Sequence, residues 1–253
     1  MLSGGGVKAI AHIGLIEVLL ENNIIPNRVA GTSAGAMIAA LYAANYSPKE
    51  MISFFENTPL FRMSLFARNK PGFLDSEKYV DHFGKYFSEN SFEALKYPLT
   101  IAATNILKAK ITYFNSGPLI KPIIASAALP PLFSPIDIDG QLYSDGGILD
   151  NFPLDSIKID CDKIIGSFVN PVTEIEKSEI NSSSDLVYRI YHIGMDVNDI
   201  EKFKGCSYVF LPPKLDAISA IDTKSIKKAY KIGYDFAQKE IGTIIESLNN
   251  DKK

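Results

Sequence analysis

Apolar positions near the start of the chain recur with helical spacing at Val7, Ile10, Ala11, Gly14, Leu15 and Val18, directly after Gly4-Gly5-Gly6. That spacing predicts a helix entered through a glycine turn, with Met1-Leu2-Ser3 as the end of a preceding strand. Pro26 breaks the pattern, Val29-Ala30 reads as a short strand, and the tight turn Gly31-Thr32-Ser33-Ala34-Gly35 opens a helix that ends near Ala44. Two strand-turn-helix units within residues 1–44 indicate a parallel α/β sheet. The second helix is apolar on nearly every side, which predicts burial in the middle of the molecule.

Beyond this pair, Leu99 to Ala103 and Ile111 to Phe114 read as strands, Ile136 to Tyr143 as a hairpin about Asp139-Gly140, and Lys163 to Val169 as a further buried strand. Helical patterns follow at Asp185 to Ile200 and Thr223 to Leu248, after a polar, serine-rich stretch from Thr173 to Ser184 that reads as a mobile loop. The segment from Asn57 to Asp75 mixes Phe61, Leu65 and Phe66 with Arg62, Arg68 and Lys70, and reads as an insertion. Two roles fit that mixture: a small structural cap, or a lid whose apolar side chains enter a lipid interface while its cations meet anionic head groups.

Composition narrows the picture. The 253 residues are 46% hydrophobic and 22% charged, as expected for one packed domain over 1–253. With 26 Lys and Arg against 29 Asp and Glu, the net charge of -3 does not point to a nucleic-acid partner. Cys161 and Cys206 are too few for a disulfide framework or a metal cluster and read as packing residues, so no metal is expected. The longest apolar run, Ala34 to Ala44, falls short of the roughly 18 residues of a membrane span. Glycines begin at Gly4, where a signal peptide would need its apolar stretch, so the expected location is the cytoplasm.

The candidate chemistry lies in the turns. Gly31 to Gly35 satisfies G-x-S-x-G at a strand-to-helix junction, where a strained turn exposes the hydroxyl of Ser33. Consecutive glycine N–H groups at Gly4-Gly5-Gly6 make an anion site suited to a developing oxyanion. Gly4, Gly6 and Ala9 also satisfy the dinucleotide fingerprint, but the next strand runs Val29-Ala30-Gly31 and lacks the ribose-binding carboxylate, which counts against a nucleotide cofactor. A serine nucleophile needs a base. His12 lies in the first helix and His82 in a polar amphipathic stretch. Ser33, Asp145 and His192 stand in the chain order of an α/β-hydrolase triad. Topology argues against that triad, because only one strand-helix unit precedes Ser33 and His192 falls within a helical pattern. The remaining candidate is Asp145 in Ser144-Asp145-Gly146-Gly147, a sequence that can also be a simple turn.

Four blocks in order, Gly4-Gly5-Gly6-Val7-Lys8-Ala9, Gly31 to Gly35, Ala125 to Pro130 and Asp145-Gly146-Gly147, resemble those of the patatin-like phospholipase family. The resemblance implies a three-layer α/β/α fold with a mainly parallel central sheet, and a lipid acyl hydrolase that needs no cofactor. It also implies Ser33 as nucleophile, Asp145 as base, an oxyanion hole at Gly4, Gly5 and Gly6 accompanied by Lys8, and supporting roles for Gly31, Ala34, Gly35, Gly146 and Gly147. The implied partners are a lipid or other acyl-ester substrate and, transiently, a membrane surface. Ala9 departs from the family's usual glycine, and Met1 to Ser3 is a short first strand. Two rivals stay open: a catalytically idle domain that binds lipid or a partner through the same cleft, and an esterase that uses His192.

Overall fold

A computed structural model describes residues 1–58, 65–196 and 199–250. In chain order, the glycine turn leads through a 3-10 turn, Gly6–Ile10, into helix α1 (Ala11–Glu21), then strand β1 (Val29–Thr32), helix α2 (Ala34–Ala43), α3 (Pro48–Asn57) and α4 (Val80–Gly84). Strands β2 (Leu99–Asn105) and β3 (Lys110–Phe114) follow, then α5 (Ile120–Ser126), β4 (Ile136–Ile138) and β5 (Gln141–Asp145). The remainder is β6 (Ile165–Ser167), α6 (Ser183–Asp196), β7 (Tyr208–Phe210) and α7 (Ile226–Asn249), with 3-10 turns between them.

The centre of the sheet is parallel: β1 runs beside β2, β6 beside β7, and Leu2 bridges Gly31 on one side and Ser167 on the other. An antiparallel flank is added by β3, β4 and β5. Side chains alternate between the faces, so Val29 joins the cluster containing α2 and α5 while Ala30 joins one with Phe152, Ile157 and Phe168. Both faces are therefore covered, giving the three layers expected. Helices α2 and α5 lie over one face, and the other layer at Ala30 is built from short 3-10 turns at Leu154–Ser156 and Ile200–Gly205. Helices α1 and α7 pack closely where Gly14 and Gly233 meet, since a Cβ on Gly233 would sit 2.1 Å from the Ala11 carbonyl oxygen. Helix α2 is buried along nearly its whole length, as its composition predicts.

Several boundaries differ from the sequence reading. The strand expected over Lys163 to Val169 pairs only at Ile165–Ser167, and the helix over Asp185 to Ile200 is described as Ser183–Asp196 with a separate 3-10 turn from Ile200. The stretch 173–184 is irregular apart from a 3-10 turn at Lys177–Glu179 and the start of α6. Within the insertion, Leu65 is buried, Phe66 and Leu74 pair antiparallel, and Lys70 bridges Asp75 and Glu77; Phe61 and Arg62 lie outside the described residues. No helix among the described residues is long and apolar enough to cross a membrane.

Candidate active site

The site arises from the register of β2. Thr32 at the end of β1 faces Ala102, and Asp145 at the end of β5 faces Ala103. Because β3 pairs with β2 over 101–105, β1 and β5 must share the opposite edge, meeting end to end. The residue after Thr32 is Ser33, and its Oγ donates to Asp145 Oδ2 at 2.7 Å. Ser33 holds φ 55° and ψ -129°, a conformation costly for a residue with a side chain. The glycines on either side let the turn close: a Cβ on Gly31 would lie 2.5 Å from the Gly35 carbonyl oxygen, and one on Gly35 would lie 2.3 Å from that of Ser3. Ala34 then begins α2, with its N–H at the helix N-terminus beside Ser33.

Asp145 is 1% exposed. Burial pushes its carboxyl up to about 7, against the hydrogen bonds from Ser33 and from the Gly147 N–H, which reaches Oδ1 at 2.8 Å. Gly146 is pressed against β2, where a Cβ would fall 2.2 Å from the Ala102 carbonyl oxygen. The backbone of Asp145 is fixed as well: its N–H donates to Ala128 O, and its carbonyl accepts from Thr104 Oγ1 at 2.8 Å.

Two residues outside the expected set hold the turns in place. Ser126, within the Ala-Ser block at the end of α5, accepts the Ser33 N–H at 2.8 Å and donates to Ala102 O at 2.6 Å. Asn151 Oδ1 accepts the Gly4 N–H at 2.9 Å. The resemblance implies Gly4 among the oxyanion donors; in the structure its N–H already has an acceptor, and its lack of a side chain matters instead, since a Cβ would sit 2.5 Å from Asn151 Oδ1. The N–H groups of Gly5 and Gly6 meet no acceptor outside their own turn among the described residues, and Gly6, at φ 57°, is in the left-handed region that favours glycine. Behind Asn151, the buried Asp150 carboxylate takes Lys202 Nζ at 2.5 Å and the Tyr113 hydroxyl at 2.5 Å, while its carbonyl accepts from Thr32 Oγ1. This network joins the elbow, the glycine turn and the segment after Asp145.

Lys8 donates to Asn170 Oδ1 at 3.1 Å, and Asn170 Nδ2 meets His192 Nδ1 at 2.7 Å. Burial, followed by the Lys8 and Arg189 cations, pushes His192 down to about 4, so the ring is neutral near pH 7. With the Asn170 oxygen taken by Lys8, its amide nitrogen faces the imidazole as donor; Nδ1 is then the acceptor and the ring proton lies on Nε2. His12 is fully buried, with Nδ1 on Ser167 Oγ at 2.7 Å and Nε2 on Ser3 O at 2.9 Å. It ties the first strand to β6. His82 Nε2 lies 3.1 Å from Thr58 Oγ1. Neither of the latter histidines lines the cavity at Ser33.

That cavity measures about 150 Å³ and is mostly apolar, with Met37, Phe55, Leu132, Phe133 and Met195 in its wall beside Ser33, Asp145 and the glycine turn. Among the described residues, no three His, Cys, Asp or Glu side chains cluster to hold a metal ion.

This arrangement of strained serine turn, glycine turn and buried aspartate on a three-layer α/β frame defines a family. The patatin-like phospholipase family matches over residues 1–157, and the chain belongs to it. Among its relatives, an NTE family protein of Mycobacterium tuberculosis is 33% identical over 155 residues, 60% of this chain and 43% of that protein. The protein named lysophospholipase nte1 of Aspergillus fumigatus is 24% identical over 274 residues, covering 94% of this chain and 18% of its own length. The chain thus spans less than half of these relatives. The crystal structure of VipD from Legionella pneumophila shares the fold, with a TM-score of 0.57 at 14% identity over 96% of this chain and 66% of that one.

Proposed function

We propose that this chain hydrolyses acyl esters of lipids, with phospholipids or lysophospholipids as the substrate class, through Ser33 and Asp145. The observation that carries the proposal is the 2.7 Å hydrogen bond from Ser33 Oγ to a carboxylate whose burial raises it to about 7. A carboxylate of ordinary pKa, about 3.9, is a weak acceptor for an alcohol proton, whereas one near 7 is matched to neutral pH.

Ser33 Oγ attacks the ester carbonyl as its proton passes to Asp145 Oδ2, and the carbonyl oxygen becomes an oxyanion. The N–H groups of Gly5, Gly6 and Ala34 are the proposed donors to that oxygen. Collapse expels the alcohol, which takes the proton from Asp145, and leaves an acyl ester on Ser33. Water then attacks this ester, giving its proton to Asp145; the second collapse returns that proton to Ser33 and releases the fatty acid. Asp145 acts as base and acid in each half, so the cycle balances without a histidine. The substrate class is supported by family membership and by the name lysophospholipase carried by a relative matched over 94% of this chain.

A second reading is kept because His192 lines the same cavity. As base to Ser33, its Nε2 would have to be unprotonated, opposite to the tautomer favoured by Asn170. The deciding experiment is fluorophosphonate labelling with mass spectrometry of the labelled peptide, alongside hydrolysis of lysophosphatidylcholine. Labelling at Ser33 that is lost in Ser33→Ala, together with fatty-acid release, supports the proposal. Turnover that survives Ser33→Ala refutes it.

A further inference from the structure

Helix α6 carries a row of aliphatic residues on the outside. Its inner side brings His192 and Met195 to the wall of the Ser33 cavity, and buries the Tyr191 hydroxyl. Its outer side presents Leu186, Ile190 and Ile193, spaced along one stripe and 46%, 60% and 38% exposed. A helix on the surface of a globule normally turns polar residues outward. Single exposed aliphatic residues are ordinary, but a stripe of them marks a contact surface.

Two other segments carry exposed apolar side chains and either adjoin or line the wall of the same cavity. Phe66 and Phe73 are 49% and 61% exposed, on the segment whose Phe73 and Leu74 N–H groups donate to Pro131 O and Leu132 O; Leu132 and Phe133 line the cavity. Ile221 lines it directly and is itself 61% exposed.

We propose that α6, with Phe66, Phe73 and Ile221, is a docking surface for a lipid bilayer or micelle of net-neutral, phosphatidylcholine-type head groups. The occupant is argued from what lies beneath and from charge. The wall under α6 encloses about 150 Å³ around Ser33, below the roughly 300–1,000 Å³ of sites for drug-sized ligands, so a long acyl chain has to enter by displacing part of it. Contact of the outer stripe with lipid would favour that displacement. Across the three segments, 65–75, 173–196 and 219–228, seven acidic side chains stand against seven basic ones, a balance that offers no net attraction to anionic head groups. The stretch 173–196, with five acidic side chains against two basic ones, also disfavours a second copy, since a twofold contact would set two such acidic stretches face to face. Only the view that the substrate is a lipid ester is borrowed from the proposed function.

The test is flotation of the full chain with phosphatidylcholine vesicles, with and without phosphatidylserine, for wild type, Ser33→Ala and the double variant Ile190→Glu, Ile193→Glu. Wild type and Ser33→Ala are expected to float with phosphatidylcholine alone. The double variant should lose binding and vesicle hydrolysis by on the order of tenfold or more, with hydrolysis of soluble p-nitrophenyl butyrate within about twofold of wild type. If the double variant fails to fold, as read by thermal melting, Ile190→Gln with Ile193→Gln takes its place. Wild type that does not bind, a double variant that binds as wild type does, or binding that requires phosphatidylserine and is lost in salt overturns the proposal. So does a wild-type dimer that the double variant dissociates without change in vesicle binding. Vesicle binding without hydrolysis of either ester supports the docking surface while refuting the proposed activity.

Discussion

Thr32 and Asp145 face consecutive residues of β2, Ala102 and Ala103, from two strands that share one edge. The hydrogen bond between Ser33 and Asp145, 112 residues apart, is therefore positioned by two backbone ladders and not by flexible loops. Such a frame tolerates side-chain change without moving. Asp145→Asn should fold, since an amide oxygen can still accept the Gly147 N–H, yet turnover should fall by roughly 10²–10⁴-fold because an amide cannot take the serine proton. Steady-state hydrolysis of p-nitrophenyl butyrate with circular dichroism checks both halves; wild-type turnover in this variant would disprove the proposed dyad.

The elevated Asp145 pKa has opposite consequences for activity and stability. kcat/KM should rise with pH through about 7 as the carboxyl loses its proton. For stability, the folded pKa lies above the unfolded value of about 3.9, so the folded state binds the proton more tightly; that stabilisation is complete below pH ~4 and is lost as pH rises through about 7. The charged form is the costly one. Asp145→Asn removes that cost, and should melt higher than wild type at pH 8, by up to a few kcal/mol in unfolding free energy, with the gap closing towards pH ~4. Denaturant titrations at the two pH values measure it.

Ser126 holds the elbow through a single hydroxyl that accepts from Ser33 N and donates to Ala102 O. Ser126→Ala leaves the Ser33 N–H without this acceptor, at a residue already in a strained conformation. The expected cost is about 1–3 kcal/mol of stability, together with slower fluorophosphonate labelling of Ser33. Unchanged stability and labelling rate would mean that the elbow is held by the glycine contacts alone.

His192 separates the two readings of the site. His192→Gln should retain activity within about tenfold, because the neutral ring meets Asn170 through Nδ1 and Asp145 is the proposed acceptor. A folded variant whose kcat falls by orders of magnitude would restore the histidine mechanism. His12→Gln is the contrasting control: its two buried hydrogen bonds make it a stability change, visible in melting.

How far these features could be read from sequence depended on whether their cause was local. The elbow at Gly31 to Gly35, the glycine turn and the hairpin before Asp145 each depend on neighbouring residues, and their residue types declare them. Helix α3 has an equally local cause, a capping box between Ser47 and Glu50 with Pro48 at the first turn. Asn151 left no such mark, because its acceptor role depends on Gly4, 147 residues away. Periodicity found α6, yet periodicity states only that two faces differ; that His192 and Met195 turn inward and Ile190 outward follows from the cavity that the first two line.

Asn151 provides a final test of how the glycine turn is held. Its Oδ1 accepts the Gly4 N–H at 2.9 Å, and a Thr32-Asp150-Lys202 network fixes the backbone beside it. Asn151→Ala removes the acceptor and should loosen the turn that presents Gly5 and Gly6, lowering kcat by roughly 10–100-fold with a smaller effect on KM. Asn151→Asp is more informative, since a carboxylate restores the acceptor for Gly4 while placing a negative charge in the cavity that holds Asp145 and would hold the oxyanion. The aspartate variant should therefore melt below wild type at pH 8, because a second carboxylate is buried beside Asp145, lose more kcat than the alanine variant, and shift the alkaline rise of kcat/KM to higher pH as the added charge raises the Asp145 pKa further. Melting curves and pH-rate profiles of the two variants measured side by side decide the matter. An aspartate variant with wild-type kcat and an unmoved profile would show that the oxyanion does not form beside Asn151, and would remove the glycine turn from the proposed mechanism.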